Sequence, residues 1–599
     1  MSSAHTPLRT EIPESDKWDL TPLYKSDAGW EEDFSKLQNS YEEVANFRGK
    51  LRESAEGLAK CLEFEKGIDL LVEQLNQYAA LSVSGDSSNP EALAREARLE
   101  SLLVRVGEAF SFISPEIQEI PDSEFEAFLA DPALDNWTIP LRKLRRRKKH
   151  TLSAAEERLL ALGSSAVRGH SDTFSQLTNV DMLFGTLKDG EGNERELTQS
   201  SFSSFLQQRD PAVRKAAFHQ FYKEFSEHRF TLASSLANSV RGDVFYARAR
   251  NHPSAREAAL FEDDVPVAIY DNLISTVRSN LDALFRYFEL RRRVLKLEEI
   301  HHYDTYVTMV ENVKTNVSWD EAVESVMASL TPLGAEYTET LKHGLLDGRW
   351  CDRYENKGKR SGAFSYGTFT SPPYIMMNYK ADVFSDVYTL AHEAGHSMHT
   401  WYARETQLYQ NYGYPIFLAE VASTFNEVLL TEHLLKTTDD RSMKAFILNR
   451  QIDDIRGTLY RQTMFAEFER EAHAAEEAGE ALTLENFKAI YSRLLTDYFG
   501  PHFSIDPELE LECLRIPHFY NAFYVYKYAT GLSAAVALAT QVLDTGDAKR
   551  YIGFLRSGGS RFPVETLREA GVDMSTPAPV QATLDLFSQR VGELEALIE

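Results

Sequence analysis

Cysteine is nearly missing from this chain. Its 599 residues include three, Cys61, Cys351 and Cys513, far apart and without metal or redox spacing. That excludes a disulfide framework, offers no catalytic thiol and makes a reducing compartment the simpler setting. Long apolar runs are missing as well. No stretch approaches the roughly 18 residues of a membrane span. The polar segment Met1–Asp16 has no apolar core of the kind a secretory signal needs. The expectation is a cytoplasmic protein with no membrane partner. Positive charge is in deficit: 64 Lys plus Arg stand against 91 Asp plus Glu, a net charge of −27. Such a balance favours solubility and argues against nonspecific nucleic-acid binding. The basic run Arg142–Lys149 is the exception. No second basic element or stacking motif accompanies it, so it reads as a solvated helical face compensating acidic neighbours.

What the chain does contain is His392-Glu393-Ala394-Gly395-His396. At 3.6 residues per turn, imidazoles at i and i+4 stack on one helix face and can both aim a nitrogen at one metal ion. Neutral imidazoles suit Zn²⁺, and Glu393, beside them but not a ligand, can accept a proton from a water the metal acidifies. Ser385 or Asp386 is the expected N-cap of this helix, and apolar residues at helical spacing give it a buried face. Gly395 inside it costs about 1 kcal/mol relative to alanine, which predicts a close neighbour crossing there.

A third ligand should lie downstream, where Pro415 opens a helix through Glu427. Glu420 stands among Phe417, Leu418, Val421 and Phe425, company in which a carboxylate is costly unless it is paired or binds metal. Glu427, two turns along the same face, competes for that role or serves as acceptor for a ligand histidine's second nitrogen. Glu405 is a more remote rival. His399 follows His396 too closely, and the glycine and later histidine of the extended metzincin motif are missing. Two histidines, a glutamate and water leave the fourth position open, the mark of a catalytic site.

Elsewhere helical periodicity dominates from Ser26 to about Ser175, broken by Asp131–Trp137. A small hairpin is expected across Leu183–Thr198, with its turn at Asp189–Asn193. Helices return from Ser200, with a strong start at Asp210-Pro211. Glycines and prolines make Gly362–Tyr379 non-helical, and Tyr374–Tyr379 has strand character. It reads either as a core strand or as an edge strand to which a peptide adds its backbone. Past Pro517, His518, Tyr520, Tyr524 and Tyr528 accumulate. As a helical stripe, with the three tyrosines on one face, they read as core packing or as donors to an oxyanion.

HEAGHSMH, followed 24 residues after its second histidine by the glutamate of FLAEVASTFNE, resembles the M3 family of zinc oligopeptidases, and more closely its oligoendopeptidase F branch. Trp18-Asp19-Leu20, Lys149–Ser153, Lys359–Phe364, Pro373–Tyr379 and Ile516–Tyr520 extend the match nearly end to end. The resemblance implies a mainly α, zincin-like metallopeptidase with a small β element beside the zinc helix and an enclosed substrate channel. With the change of periodicity at the hairpin, the expected division is an amino-terminal helical domain over residues 1–195, closed by the hairpin, and an M3-like catalytic domain over 196–599. It implies one Zn²⁺ per chain on His392, His396 and Glu420, and hydrolysis of internal bonds of short unstructured peptides by zinc-activated water with Glu393 as general base. His518 and Tyr524, with Tyr520 beside them, would act on the substrate carbonyl, and Gly362, Ala363, Tyr374 and Asn378 would bind the peptide. A carboxypeptidase or dipeptidase of the same helical class stays open, because the metal motif does not say where a peptide is cut. So does a peptide-binding protein with an idle metal site, although Glu393 has no use there.

Overall fold

The computed structural model describes residues 6–310, 313 and 315–598; the first five residues of the polar amino-terminal segment lie outside them. Contacts divide the chain into two compact units. The first comprises Met1–Lys149, Lys314–His433 and Leu538–Val572, the second His150–Val313, Leu434–Ala537 and Asp573–Glu599. Each draws on three separate stretches of sequence, so the division does not follow the linear one expected near residue 195.

The first unit is mainly helical. Its longest hairpin pairs Ala55–Gly85 with Pro90–Phe110. Both helices start on side-chain caps: Ser54 accepts from Gly57 N, and Asn89, ahead of Pro90, accepts from Glu91 and Ala92 N. Trp30, Leu75, Leu99 and Leu102 fill the space beneath, and the Trp30 indole donates to Leu75 O at 3.0 Å. The basic run acts locally. Arg145 donates to the carbonyls of Ile117, Gln118 and Ile120 at the C-terminal end of the helix Ile113–Glu119, and Lys148 pairs with Asp122 at 3.0 Å. Cations at a helix C-terminus satisfy carbonyls the helix leaves unpaired.

A three-stranded sheet lies in the same unit. Tyr374–Met376 is its middle strand, parallel to Cys351–Asp352 on one side and antiparallel to Phe364–Tyr366 on the other. Of the two readings of Tyr374–Tyr379, core strand or edge strand, the pairing on both sides supports the core strand. Tyr374, Ile375 and Met376 are fully buried, and an all-apolar, two-sided burial is what a central strand requires. The edges are Cys351–Asp352 and Phe364–Tyr366. Asp352, 1 % exposed, anchors the sheet by accepting from Arg9 and from the Lys359 ammonium at 2.7 Å.

The helix Ser385–Thr406 carries the HExxH motif and packs on this sheet. Its N-cap is Phe384, without a side-chain cap. Ser385 is thus already helical, and Asp386 accepts from Lys380 N at 2.8 Å, so neither caps the helix as expected. Gly395 is explained by the helix Ile416–Thr437: a Cβ there would stand 2.5 Å from Ala422 O and 2.6 Å from Ser423 Cα. Backbone cannot move aside as a side-chain tip can.

The second unit is also helical, and the expected hairpin is present as Thr186–Lys188 paired antiparallel with Glu194–Glu196. Asp210 caps Pro211–Glu227 through Ala212 N, as its sequence predicts. Buried charge is paired here: Arg214 meets Asp304 at 2.6 Å, and Arg461 and Tyr491 each reach Glu512 at 2.6 Å. No described helix is long and apolar enough to cross a membrane.

Candidate active site and metal centre

The metal motif and the downstream glutamate meet in the first unit. His392, His396 and Glu420 offer ligand atoms within 4.8 Å of one another. Glu420 Oε2 lies 3.6 Å from His392 Nε2 and 3.9 Å from His396 Nε2. Bonds of about 2.0–2.1 Å in a tetrahedron hold donors roughly 3.3–3.5 Å apart, so the two Glu420 separations need only a small contraction to suit one zinc-sized ion. The donor chemistry, two imidazoles and a carboxylate, fits too.

Two further carboxylates complete the group. Glu427 Oε1 accepts from His392 Nδ1 at 2.6 Å, which fixes the proton on that nitrogen and leaves Nε2 free to coordinate. Glu393 is 6 % exposed, and its Oε2 is buried without a hydrogen-bond partner. Burial pushes the Glu393 carboxyl up to about 7, as His392 opposes the shift and Glu420 and Glu427 add to it. Burial would lower His392, but Glu427, Glu393 and Glu420 override it and raise it to about 9. His396 is held at about 3 by burial and by His392. His399 stays outside the set, buried with its ring stacked on Tyr414 at 3.6 Å.

Two contacts around the motif escaped sequence reasoning. Asn426 Nδ2 donates to Ala391 O at 3.1 Å and ties the two helices together at their crossing. Ser365 and Ser397 hydroxyls meet at 2.7 Å, joining the edge strand to the HExxH helix. No local signal marks either pair, because each partner is ordinary in its own segment.

Of the expected peptide-binding residues, Ala363 and Gly362 precede the edge strand, and Gly362 is exposed at φ +85°. Asn378 donates to Arg360 O and Gly362 O at 3.0 and 2.9 Å, so it shapes that turn. Tyr374 is taken out of the surface by burial, its hydroxyl donating to Asp19 O at 2.7 Å.

His518, Tyr520 and Tyr524 belong to the second unit, and Tyr520, Tyr524 and Tyr528 do not form the expected helical stripe. Pro517–Tyr520 is a single tight turn, Phe523 takes φ +57°, and the helix begins only at Tyr526. The bend sets Tyr520 apart from Tyr524 and Tyr528. The Tyr524 ring lies over His518 at 6.1 Å and edge-on to Tyr528 at 5.4 Å, and the Tyr528 hydroxyl is 3.3 Å from His518 Nε2. Tyr520 turns away to stack on Phe174 at 4.3 Å, beside a cavity of about 600 Å³ lined also by His170, Tyr246 and His252. Tyr528, seen from sequence only as part of the stripe, is the tyrosine whose hydroxyl meets His518.

The model of peptidase family M3 matches residues 204–586, and that of oligopeptidase F matches residues 116–184. The chain belongs to peptidase family M3. It is 40 % identical to oligopeptidase PepF of Bacillus subtilis over 99 % of this chain and 88 % of that protein. A crystal structure of a peptidase from Chlamydophila abortus superposes with a TM-score of 0.94 at 35 % identity, over 99 % of this chain and 100 % of that one. Oligoendopeptidase-F from Enterococcus faecium gives 0.73 at 34 % identity, over 96 % and 99 %. The protein is thus an M3 metalloendopeptidase, its family implies a metal, and His392, His396 and Glu420 form a group able to hold one.

Proposed function

We propose that this M3 member is a zinc-dependent oligoendopeptidase that hydrolyses internal bonds of short, unstructured peptides, holding one ion on His392, His396 and Glu420. The observation that carries it is the grouping of those three donors with a buried carboxylate, Glu393, that has an oxygen free of hydrogen bonds. A bound zinc ion supplies Lewis acidity, polarising the scissile carbonyl and acidifying water. Glu393 takes the proton of the attacking water and returns it to the leaving amine, a role for which its unpartnered oxygen is available. Glu427 orients His392. The edge strand Phe364–Tyr366 receives the peptide by backbone pairing, which reads little side-chain sequence. Tyr524 and His518, paired ring to ring, donate to the developing oxyanion, and Tyr528 holds the His518 ring.

The three cysteines are free and buried, which supports a cytoplasmic setting. The hairpin Thr186–Glu196 and the interval between the two family matches support a sequence boundary near 195. The deciding experiment is mass spectrometry of a mixed peptide pool, with and without chelator. Internal cuts in peptides blocked at both ends, lost with chelator, are expected. Refusal of blocked peptides would make the enzyme an exopeptidase. Efficient digestion of casein, absent from a Glu393→Gln control, would refute the enclosed channel, since a folded or long substrate must be excluded for the oligopeptidase reading to hold.

A further inference from the structure

We propose that Glu469 is a positioning residue for this reaction: its carboxyl holds the backbone N–H of Phe523 and so fixes the direction in which Tyr524 is presented. The inference rests on the reading of Tyr524 as a donor to the oxyanion. Glu469 lies on the helix Arg461–Glu477, 2 % exposed, far in sequence from the catalytic segment. Its Oε1 accepts from Phe523 N at 2.9 Å, and its Oε2 has no partner. A buried carboxyl with one hydrogen bond is a poor choice for stability alone. It is a reasonable one where a particular backbone amide must point in a particular direction.

The amide in question is unusual. Phe523 is one of five described non-glycine residues with positive φ, at +57°. A side chain disfavours that conformation, and it persists only where its surroundings over-determine it. Three contacts do so here. The Phe523 ring packs on His473 at 4.5 Å and on Tyr270 at 5.8 Å, and Glu469 takes the N–H. Both rings belong to the same clamp: His473 donates from Nδ1 to Glu469 O at 2.8 Å, and Tyr270 donates to Ala466 O at 2.6 Å. On the other side of the bend, Lys527 N donates to Tyr524 O at 3.1 Å, and its ammonium reaches Asp263 at 2.7 Å. Tyr524 thus stands between a strained residue clamped from one helix and the first turn of the next. If the peptide at Phe523 relaxed, the backbone rotation would be passed directly to Tyr524, whose ring rests on His518, on Tyr528 and beneath the Lys527 ammonium.

The protonation state follows from the surroundings. Burial drives the Glu469 carboxyl well above its ordinary range; the Phe523 N–H opposes this and Asp243 adds to it. The neutral acid is therefore the resident form, with one oxygen accepting and the other carrying the proton. Glutamine reproduces that acceptor and methionine does not.

The test is steady-state hydrolysis of a blocked peptide by the zinc-loaded full chain, with thermal unfolding and metal content measured beside it. Glu469→Gln should stay within about 3-fold of the parent. Glu469→Met should lower kcat by about 10–100-fold with KM and zinc content unchanged, the mark of misplacement felt in the transition state. Added to Tyr524→Phe it should cost nothing more. Should Glu469→Met fail to fold, Glu469→Asp withdraws the acceptor by one methylene and should show the same split in smaller measure. A normal kcat in the folded variants, or a loss that multiplies with that of Tyr524→Phe, overturns the positioning role while the tyrosine keeps its own. A normal kcat in Tyr524→Phe itself removes the reading beneath, and this inference with it.

Discussion

In the first unit, His392, Glu393 and His396 sit on one helix whose turn brings them together, and Glu420 and Glu427 arrive on a second helix in contact with it. In the second, His518, Tyr524 and Tyr528 meet only because the chain bends between them at a residue with φ +57°. One group is made by periodicity and close backbone packing, the other by a strained turn held from a distant helix. The first should tolerate little change in residue type. The second should be sensitive to what supports it.

The largest effect should come from the first group. Glu393→Gln keeps the fold and the zinc but cannot accept a proton, and hydrolysis should fall by at least about 10²–10⁴-fold. Glu420→Gln should lose both activity and metal, read by metal analysis of the purified protein. Full zinc in Glu420→Gln alongside loss in Glu427→Gln would exchange the roles of the two glutamates. Substantial turnover by Glu393→Gln would leave the general base unassigned.

Next in size is the tyrosine. Tyr524→Phe removes one hydroxyl and should lower kcat by about 10²–10³-fold with little change in KM, as for a donor that acts mainly on the transition state. Zinc content should not move, which separates this unit's contribution from the first. If kcat stayed near normal, the His518–Tyr524–Tyr528 cluster would be packing alone.

Glu427→Gln is smaller again. The amide can still accept from His392 Nδ1, but it loses the charge that favours the required proton position, and metal affinity should weaken by about 10–100-fold. A competition titration with a chelator measures it. Unaltered affinity would mean that position, not charge, is what Glu427 provides.

The difference between the two groups also explains what was legible in the sequence. HExxH spacing needs only a helix, and the glycine within it predicts a close neighbour, which proves to be the backbone of Ala422 and Ser423. Glu420 was conspicuous as a charge among apolar neighbours. The tyrosines were read as a helical face because their spacing of four fits one, and the bend at Phe523 is invisible when a phenylalanine occupies a conformation usually left to glycine. Glu469, Ser365 and Asn426 act on partners 54, 32 and 35 residues away, beyond any local pattern. The strand Tyr374–Met376 had the right propensity, but whether it lies at the edge or in the middle depends on Cys351–Asp352, two residues with no strand signature of their own.

The smallest expected effect concerns a half-buried row of carboxylates in the first unit, set against one buried carboxylate, Glu512, in the second. On the helix Ala55–Gly85, Glu65, Asp69 and Glu73 follow one another at spacing four. Burial first, and then the next carboxylate in the row, raises Glu65 to about 7 and Asp69 to about 6. Burial likewise raises Glu73, against donation from Tyr412. The second unit does the opposite with Glu512. Burial would raise it, but Arg461, His302 and Arg515 override burial and hold it below the usual carboxylate range. The signs then differ. A carboxyl raised in the folded state binds more protons there than when unfolded, so stability is lost as pH rises from about 4 to the folded value. A lowered one contributes stability above about 4 that is lost only as pH falls further. Between pH 5.5 and 8 the first unit should therefore weaken while Glu512 contributes a constant amount. Glu65→Gln should remove part of that weakening, stabilising the protein at pH 8 by about 1 kcal/mol after allowance for partial exposure, and by much less at pH 5.5. Thermal unfolding of parent and variant at the two pH values gives the comparison. An equal gap at both would show that the acidic row titrates as if unfolded, and that its burial carries no energetic weight.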